Sequence, residues 1–178
     1  MPQPAPHADV PIVVMGVQGS GKTTIGALLA VALDRTFVDG DTLHNPANRA
    51  KMAAGTPLTD EDRRPWLDEV GRVLGSGPLV VGCSALRRRY RDQLRSHAPD
   101  AVMVHGHGSA ELLRARVGVR VHEYMPPTLL DSQLATLEPL AEDEAGLVVD
   151  IAETPEQIVA RVLAWLDLPD ARSHPGDG

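Results

Sequence analysis

The chain has 178 residues, carries 17 basic against 24 acidic side chains for a net charge of −7, and is 43% hydrophobic but only 3% aromatic. That length suits one domain, and the acidic balance argues against a nucleic-acid binder, which needs a basic excess to displace phosphate counterions. A single cysteine, Cys83, excludes an intrachain disulfide and a cysteine-based metal cluster.

Short β-branched runs alternate with helix-length amphipathic segments along the chain, the pattern of an α/β protein with a parallel sheet. Val10 to Met15 reads as a buried first strand, and Thr23 to Leu33 as a helix with Ile25, Leu28, Leu29, Ala32 and Leu33 on one face. Phe37-Val38 is a short second strand that ends in Asp39-Gly40-Asp41, and Asn45 to Ala54 is a short helix broken by Gly55-Thr56-Pro57. Thr59 with Asp62 forms a capping arrangement ahead of Trp66, Leu67, Val70, Val73 and Leu74, which have helical spacing. Leu79 to Cys83 is the third strand, Arg87 to His97 a strongly basic helix, and Ala101 to His105 the fourth strand. Ser109 caps a helix from Ala110 to Val117. From Arg114 to Glu138 the Arg-rich run with Pro126-Pro127 reads as a lid whose returning helix is Thr128 to Leu137. Leu147 to Ile151 is the fifth strand, and Thr154, Pro155 and Gln157 open a last helix ending near Leu166.

Residues 10–168 are thus expected to form one domain, with the lid at about 114–138 and disordered segments at 1–9 and 169–178. Met1 to Asp9 lacks the basic start and apolar run of a signal peptide, and no apolar run approaches the roughly 18 residues of a membrane span. A cytoplasmic enzyme with no membrane or nucleic-acid partner is expected.

Gly16-Val17-Gln18-Gly19-Ser20-Gly21-Lys22-Thr23 fits G-x-x-x-x-G-K-[ST] between a buried strand and an amphipathic helix. Its glycines let backbone N–H groups turn inward as an anion nest, and the following helix aims its positive end at the same place. ATP would therefore bind along Gly16 to Thr23 and at Thr24, with Lys22 reaching the β- and γ-phosphates and Thr23 ligating Mg2+. Lysine occurs elsewhere only at Lys51, so Lys22 is not surface filler.

Asp39 and Asp41, two residues apart at a strand end, are expected to project to the same side. One would hold a Mg2+-bound water, and the other would take a hydrogen bond from the attacking hydroxyl. Arg63 and Arg64 stand at a helix start, where the dipole disfavours cations, and are either a carboxylate clamp or a solvated pair. Cys83 reads as a small buried side chain, and Asp150 as structural. The arginines from Arg87 to Arg95 read as a solvated helix face rather than an RNA surface. Among Arg114, Arg116 and Arg120, at least one should close over the phosphates, with Arg116 and Arg120 the catalytic candidates.

No guanine-reading N-K-x-D segment follows the phosphate loop, which leaves small-molecule kinases as the best class. Several segments together resemble the gluconokinase family: Gly16 to Thr23, Asp39-Gly40-Asp41 with Leu43-His44, Lys51-Met52, Asp62-Arg63 with Pro65-Trp66-Leu67, Cys83 to Leu86 with Tyr90-Arg91-Asp92, and Ser132-Gln133 with Leu137-Glu138-Pro139. The resemblance implies an adenylate- and shikimate-kinase-like P-loop fold, a five-stranded parallel sheet of order 2-3-1-4-5 flanked by helices, and a helical lid. It further implies ATP- and Mg2+-dependent phosphorylation of D-gluconate, commonly by a homodimer, with Asp41, His44, Arg64, Cys83, Ser84 and Ala85 around the sugar acid. Glu123 stands where the family usually has a lid histidine, with His122 before it, while Arg120 keeps its register. The rival readings are a kinase for another small hydroxy acid of the shikimate kind and a nucleotide-binding regulator without catalysis.

Overall fold

A computed structural model describes residues 9–119 and 128–166. Five parallel strands, β1 (Ile12–Met15), β2 (Phe37–Asp39), β3 (Val80–Gly82), β4 (Val102–His107) and β5 (Gly146–Asp150), lie in the order β2-β3-β1-β4-β5. The expected sheet order is the one observed. β1 is central, paired from Ile12 to Val80 on one side and to Val102 on the other.

Because side chains alternate across a strand, β1 divides its residues between two cores. Ile12 and Val14 face a layer made by α1 (Lys22–Leu33) and α7 (Pro155–Trp165), with Ile25, Leu29, Ile158 and Val162 buried there. Val13 and Met15 face the opposite layer, where α3 (Asp60–Leu74) and α4 (Arg88–His97) bury Trp66, Leu67, Val70, Tyr90 and Leu94. Both faces of the sheet are therefore covered, which explains why the strands read as near-continuous apolar runs. A third, smaller cluster joins Val17, Leu86, Leu113, Val117, Leu130 and Ile151 at the carboxyl end of the sheet. It packs α5 (Ala110–Val119) and α6 (Thr128–Thr136) against the loops that follow β1 and β3. Among the described residues no helix is long and apolar enough to cross a membrane.

Local signals explain the helix boundaries. Thr59 and Asp62 close a reciprocal capping box, Asp62 N donating to Thr59 Oγ1 at 3.1 Å and Thr59 N to Asp62 Oδ2 at 2.9 Å. Aspartate thus serves where glutamate is the usual partner. Thr154 and Gln157 make the same box ahead of α7. The short helix α2 (Pro46–Ala53) begins at Asn45, whose side chain caps Asn48 N at 2.8 Å.

The basic helix α4 departs from the expectation of a solvated face. Arg91 is fully buried, and its fork meets Glu144, whose side chain is 1% exposed, at 2.7 and 2.9 Å. Arg95 adds a bond to the same carboxylate at 2.7 Å. Helical geometry accounts for the difference: Arg91 lies three residues before Leu94 and seven before Ala98, on the stripe that faces the core. Burial would raise the Glu144 pKa, but bonds from Arg91, the Ala141 amide and Arg95 outweigh it and bring the carboxyl down to about 2. The stabilisation it provides is complete above its unfolded value near 4.5 and is lost as the pH falls through about 2. Glu144→Ala, which strands a buried guanidinium, is expected to lower unfolding free energy by about 3–5 kcal/mol, measurable by urea denaturation at neutral pH.

Candidate active site

β1 delivers Met15 to the carboxyl edge of the sheet, where the chain turns through Gly16 to Gly21 into α1. Gly19 and Gly21 adopt φ values of 82° and 83°, a region that costs residues with a Cβ and glycine little. Gly21 stands at the N-cap of α1 and offers no side-chain cap, so the first-turn amides face the loop without a competing acceptor from their own cap. Lys22 folds its ammonium over the loop, donating to the carbonyls of Gly16 and Val17 at 3.1 and 3.2 Å. The buried Ser20 hydroxyl has no hydrogen-bond partner among the described residues. These features fit a polyanion seated in the loop.

The paired aspartates reach one cavity, but not by strand alternation. Asp39 is the last residue of β2, and the chain then makes a 3-10 turn from Gly40 to Leu43. Asp39 Oδ1 caps that turn by accepting from Asp41 N at 3.0 Å. Trp66 holds the turn from below through Nε1–H to Gly40 O at 2.8 Å. Gly40 is required there, since a Cβ would lie 2.5 Å from the carbonyl oxygen of Gly82.

His44 stacks on Trp66 with ring centroids 4.0 Å apart and planes 17° from parallel. Asn48 Nδ2 donates to Asp62 O at 2.9 Å and lies 3.3 Å from His44 Nδ1. An amide nitrogen can only donate, so Nδ1 is the acceptor and the imidazole carries its proton on Nε2. Burial first, then the charges of Arg49 and Arg63, lower the His44 pKa to about 4. The ring is therefore neutral near pH 7.

A cavity of about 770 Å³ gathers these groups. Its wall includes Gly19, Gly21, Lys22, Thr23 and Thr24 from the phosphate loop, Asp39, Asp41 and His44 from the acidic turn, and Arg49, Arg63, Trp66 and Ser84 opposite. The expected clamp residue, Arg64, is exposed and does not line this cavity; Arg63 does. Arg63 stands three residues before Trp66 and four before Leu67, on the buried stripe of α3, whereas Arg64 points off it. That spacing was the available sequence signal. The Arg63 guanidinium is steadied from behind by the Tyr90 hydroxyl at 3.1 Å and lies over the Tyr90 ring, 5.2 Å from its centroid. Tyr90 in turn donates to Asp60 at 2.5 Å. Arg49, also in the wall, donates to the carbonyls of Thr42 and His44, bracing the acidic turn.

Of the turn Cys83–Ala85, only Ser84 lines the cavity. Cys83 and Ala85 are buried beneath it, so their contribution is backbone shape and small size, not contact. Burial, reinforced by the charge of Asp41, pushes the Cys83 thiol up to about 12, which removes it as a nucleophile. Asp150 accepts from Ala152 N at 2.9 Å in a turn after β5, the structural role expected.

Arg116 also departs from expectation. It lines a second cavity, about 530 Å³, on the other side of the phosphate loop with Ser20, Gly21, Thr24, Glu153 and Pro155. Its guanidinium donates to Ile151 O, so it sits away from the acidic turn. Arg114 pairs with Asp131 at 3.2 Å on the surface. Arg120, His122, Glu123 and Pro126-Pro127 lie outside the described residues. The returning helix α6 brings Leu129, Ser132 and Gln133 to the first cavity, and Gln133 Oε1 accepts from Gln18 N of the phosphate loop at 2.6 Å.

The shikimate kinase family model matches residues 18–167. A gluconokinase of Gluconobacter oxydans is 42% identical over 164 residues, spanning 89% of this chain and 92% of that one. The solved gluconokinase of Sinorhizobium meliloti superposes with a TM-score of 0.83 at 46% identity, covering 89% of this chain and 91% of its own. A sugar kinase from Janibacter sp. aligns with a TM-score of 0.86 at 44% identity over 93% and 98% of the two chains.

The His44 resonances are expected to titrate in NMR with a midpoint near 4. An unfolded histidine takes up its proton near 6.5, so His44 contributes stability above that value that is lost as the pH falls toward 4. A midpoint near 6.5 in the folded protein would mean that the Trp66 stack does not shield the ring.

Proposed function

The chain belongs to the gluconokinase family, within the wider group that the shikimate kinase model describes, and from that premise we propose how its residues carry out the ATP-dependent phosphorylation of D-gluconate to 6-phospho-D-gluconate. The observation that carries the reading is that one cavity is walled both by the phosphate loop and by Asp41, His44, Arg63 and Ser84.

ATP lies across the loop, its terminal phosphate toward the first cavity and its nucleoside toward the second, since Gly21 and Thr24 border both. The amides of Gly19 to Thr23 and the Lys22 ammonium stabilise charge on the transferred group, the main task in phosphoryl transfer. Gluconate enters opposite, its carboxylate on the braced Arg63 and its distal hydroxyl beside Asp41. Asp41 orients that hydroxyl in line with the γ-phosphorus and takes its proton, so that the new O–P bond forms as the bond to ADP breaks. Neutral His44 donates from Nε2 to a hydroxyl of the sugar acid. Thr23 and Asp39 line the same cavity and suit Mg2+: the Thr23 hydroxyl would ligate it directly, and Asp39, with Oδ1 engaged in the turn, would hold a bound water through Oδ2. Bound there, Mg2+ would supply charge neutralisation between phosphate oxygens. Arg116 serves the nucleoside side, and Arg120 of the lid remains the candidate for the γ-phosphate. The same proposal has the enzyme working in the cytoplasm as a homodimer.

ADP release measured with gluconate, shikimate, other sugar acids and no acceptor tests the assignment. Turnover is expected with gluconate; a preference for shikimate would favour the hydroxy-acid alternative, and silence with every acceptor a non-catalytic role. Lys22→Ala is expected to lower kcat by about 10²–10³-fold. Asp41→Asn should cut turnover far more than it weakens ATP binding, and equal losses would remove it from the acceptor role. Arg63→Ala is expected to raise the gluconate KM about 10–100-fold, the worth of a charge-assisted bond, with Arg64→Ala close to the parent protein.

A further inference from the structure

Among the described residues Arg91 is the largest fully buried side chain, and it belongs to none of the roles above. Beyond its fork on Glu144, its NH1 donates to Ala85 O at 3.0 Å and Glu138 O at 3.1 Å, and its NH2 to Pro139 O at 3.3 Å. One guanidinium therefore joins two irregular segments, 84–87 and 138–144. Glu138 N also donates to Leu86 O at 2.7 Å, and Arg88 N, at the start of α4, donates to Glu138 Oε2 at 3.0 Å.

Both segments bear on the acceptor cavity. The first supplies Ser84 and Leu86 to its wall, and Ser84 O accepts from Gly16 N at the root of the phosphate loop. The second follows the end of α6, the helix that supplies Leu129, Ser132 and Gln133. Within the first, Ala85 holds a φ of 45°, a left-handed conformation that a residue with a Cβ keeps only when its surroundings impose it. The bond from Arg91 to the Ala85 carbonyl is such an imposition. A buried ion pair is weak evidence for stability, since well-packed apolar residues commonly replace one without loss. Its directional bonds, by contrast, fix geometry.

We propose that Arg91 is a positioning residue for the acceptor site: it holds Ala85 in the left-handed conformation and ties that turn to the segment that follows α6, setting the separation of the two walls around the bound sugar acid. This rests on the reading of the cavity as the gluconate site. The effect is on acceptor geometry, so it should appear in gluconate kinetics and not in nucleotide binding.

The test is a mutant cycle in the full chain, with Arg91→Lys, Ala85→Gly and both together, read by steady-state kinetics with gluconate and ATP, ADP affinity and melting temperature. Arg91→Lys is expected to raise the gluconate KM about tenfold while ADP affinity stays within about twofold, because small misplacements at a reacting centre are costly. Glycine takes the left-handed conformation without strain, so Ala85→Gly should recover most of that loss in the double variant. Equal changes in gluconate and nucleotide parameters, or strictly additive effects, would overturn the proposal. Should Arg91→Lys fail to fold, Arg91→Met with Glu144→Leu exchanges the pair for apolar packing. A folded enzyme with weakened gluconate use then supports positioning, and a folded enzyme with unchanged kinetics refutes it. A parent protein inert toward gluconate sinks the acceptor reading itself, and the role of Arg91 with it.

Discussion

The uncapped start of α1, set behind a glycine turn at the end of the central strand, is the constraint around which the molecule is arranged. Four amides at a helix start need acceptors, and here the chain supplies no side-chain cap at Gly21. Because β1 lies in the middle of the sheet, the loop opens at the crevice between β3 and β4, where ligands of open α/β sheets bind. Its two sides then become two cavities, one bordered by the acidic turn and one by the β5–α7 connection.

The side that carries the acidic turn is built for rigidity. Its acidic turn is fastened by Asp39 from within, by Trp66 from beneath and by Arg49 from outside. Trp66 does this with its N–H while presenting its ring to His44, so a single residue sets both the aspartate turn and the imidazole. Arg63 is braced by Tyr90 and Asp60 before any substrate arrives. Groups preset in this way lose little freedom on binding and need little reorganisation during reaction. Among the described residues, α6 is joined to this framework through Gln133 on the phosphate loop and the Arg91 junction.

Charge inside the protein follows the same logic. Glu144 accepts from two arginines and an amide, and its ionised form is thereby favoured despite burial. Among the described residues His44 and His105 have no such carboxylate partner, and burial holds both neutral, near a pKa of 4. The contrast shows why a buried acid can persist charged only where its oxygens are fully used.

Much of this was legible in the residues. The phosphate loop, the alternation of strands and helices, the capping boxes at Thr59 and Thr154, and the helix from Thr128 all follow from local chemistry that needs no distant partner. The resemblance to gluconokinases rested on segments spread along the chain, and it fixed the sheet order and the activity. Tertiary structure decided what depends on which face of a helix meets the core. It put Arg63 and not Arg64 in the cavity wall, buried Arg91 among arginines that looked alike, drew Arg116 to the second cavity, and put Cys83 and Ala85 beneath the first cavity and not in its wall. A sequence names the groups and their spacing, but a guanidinium's role is set by the carbonyls and carboxylates that packing brings to it from fifty residues away.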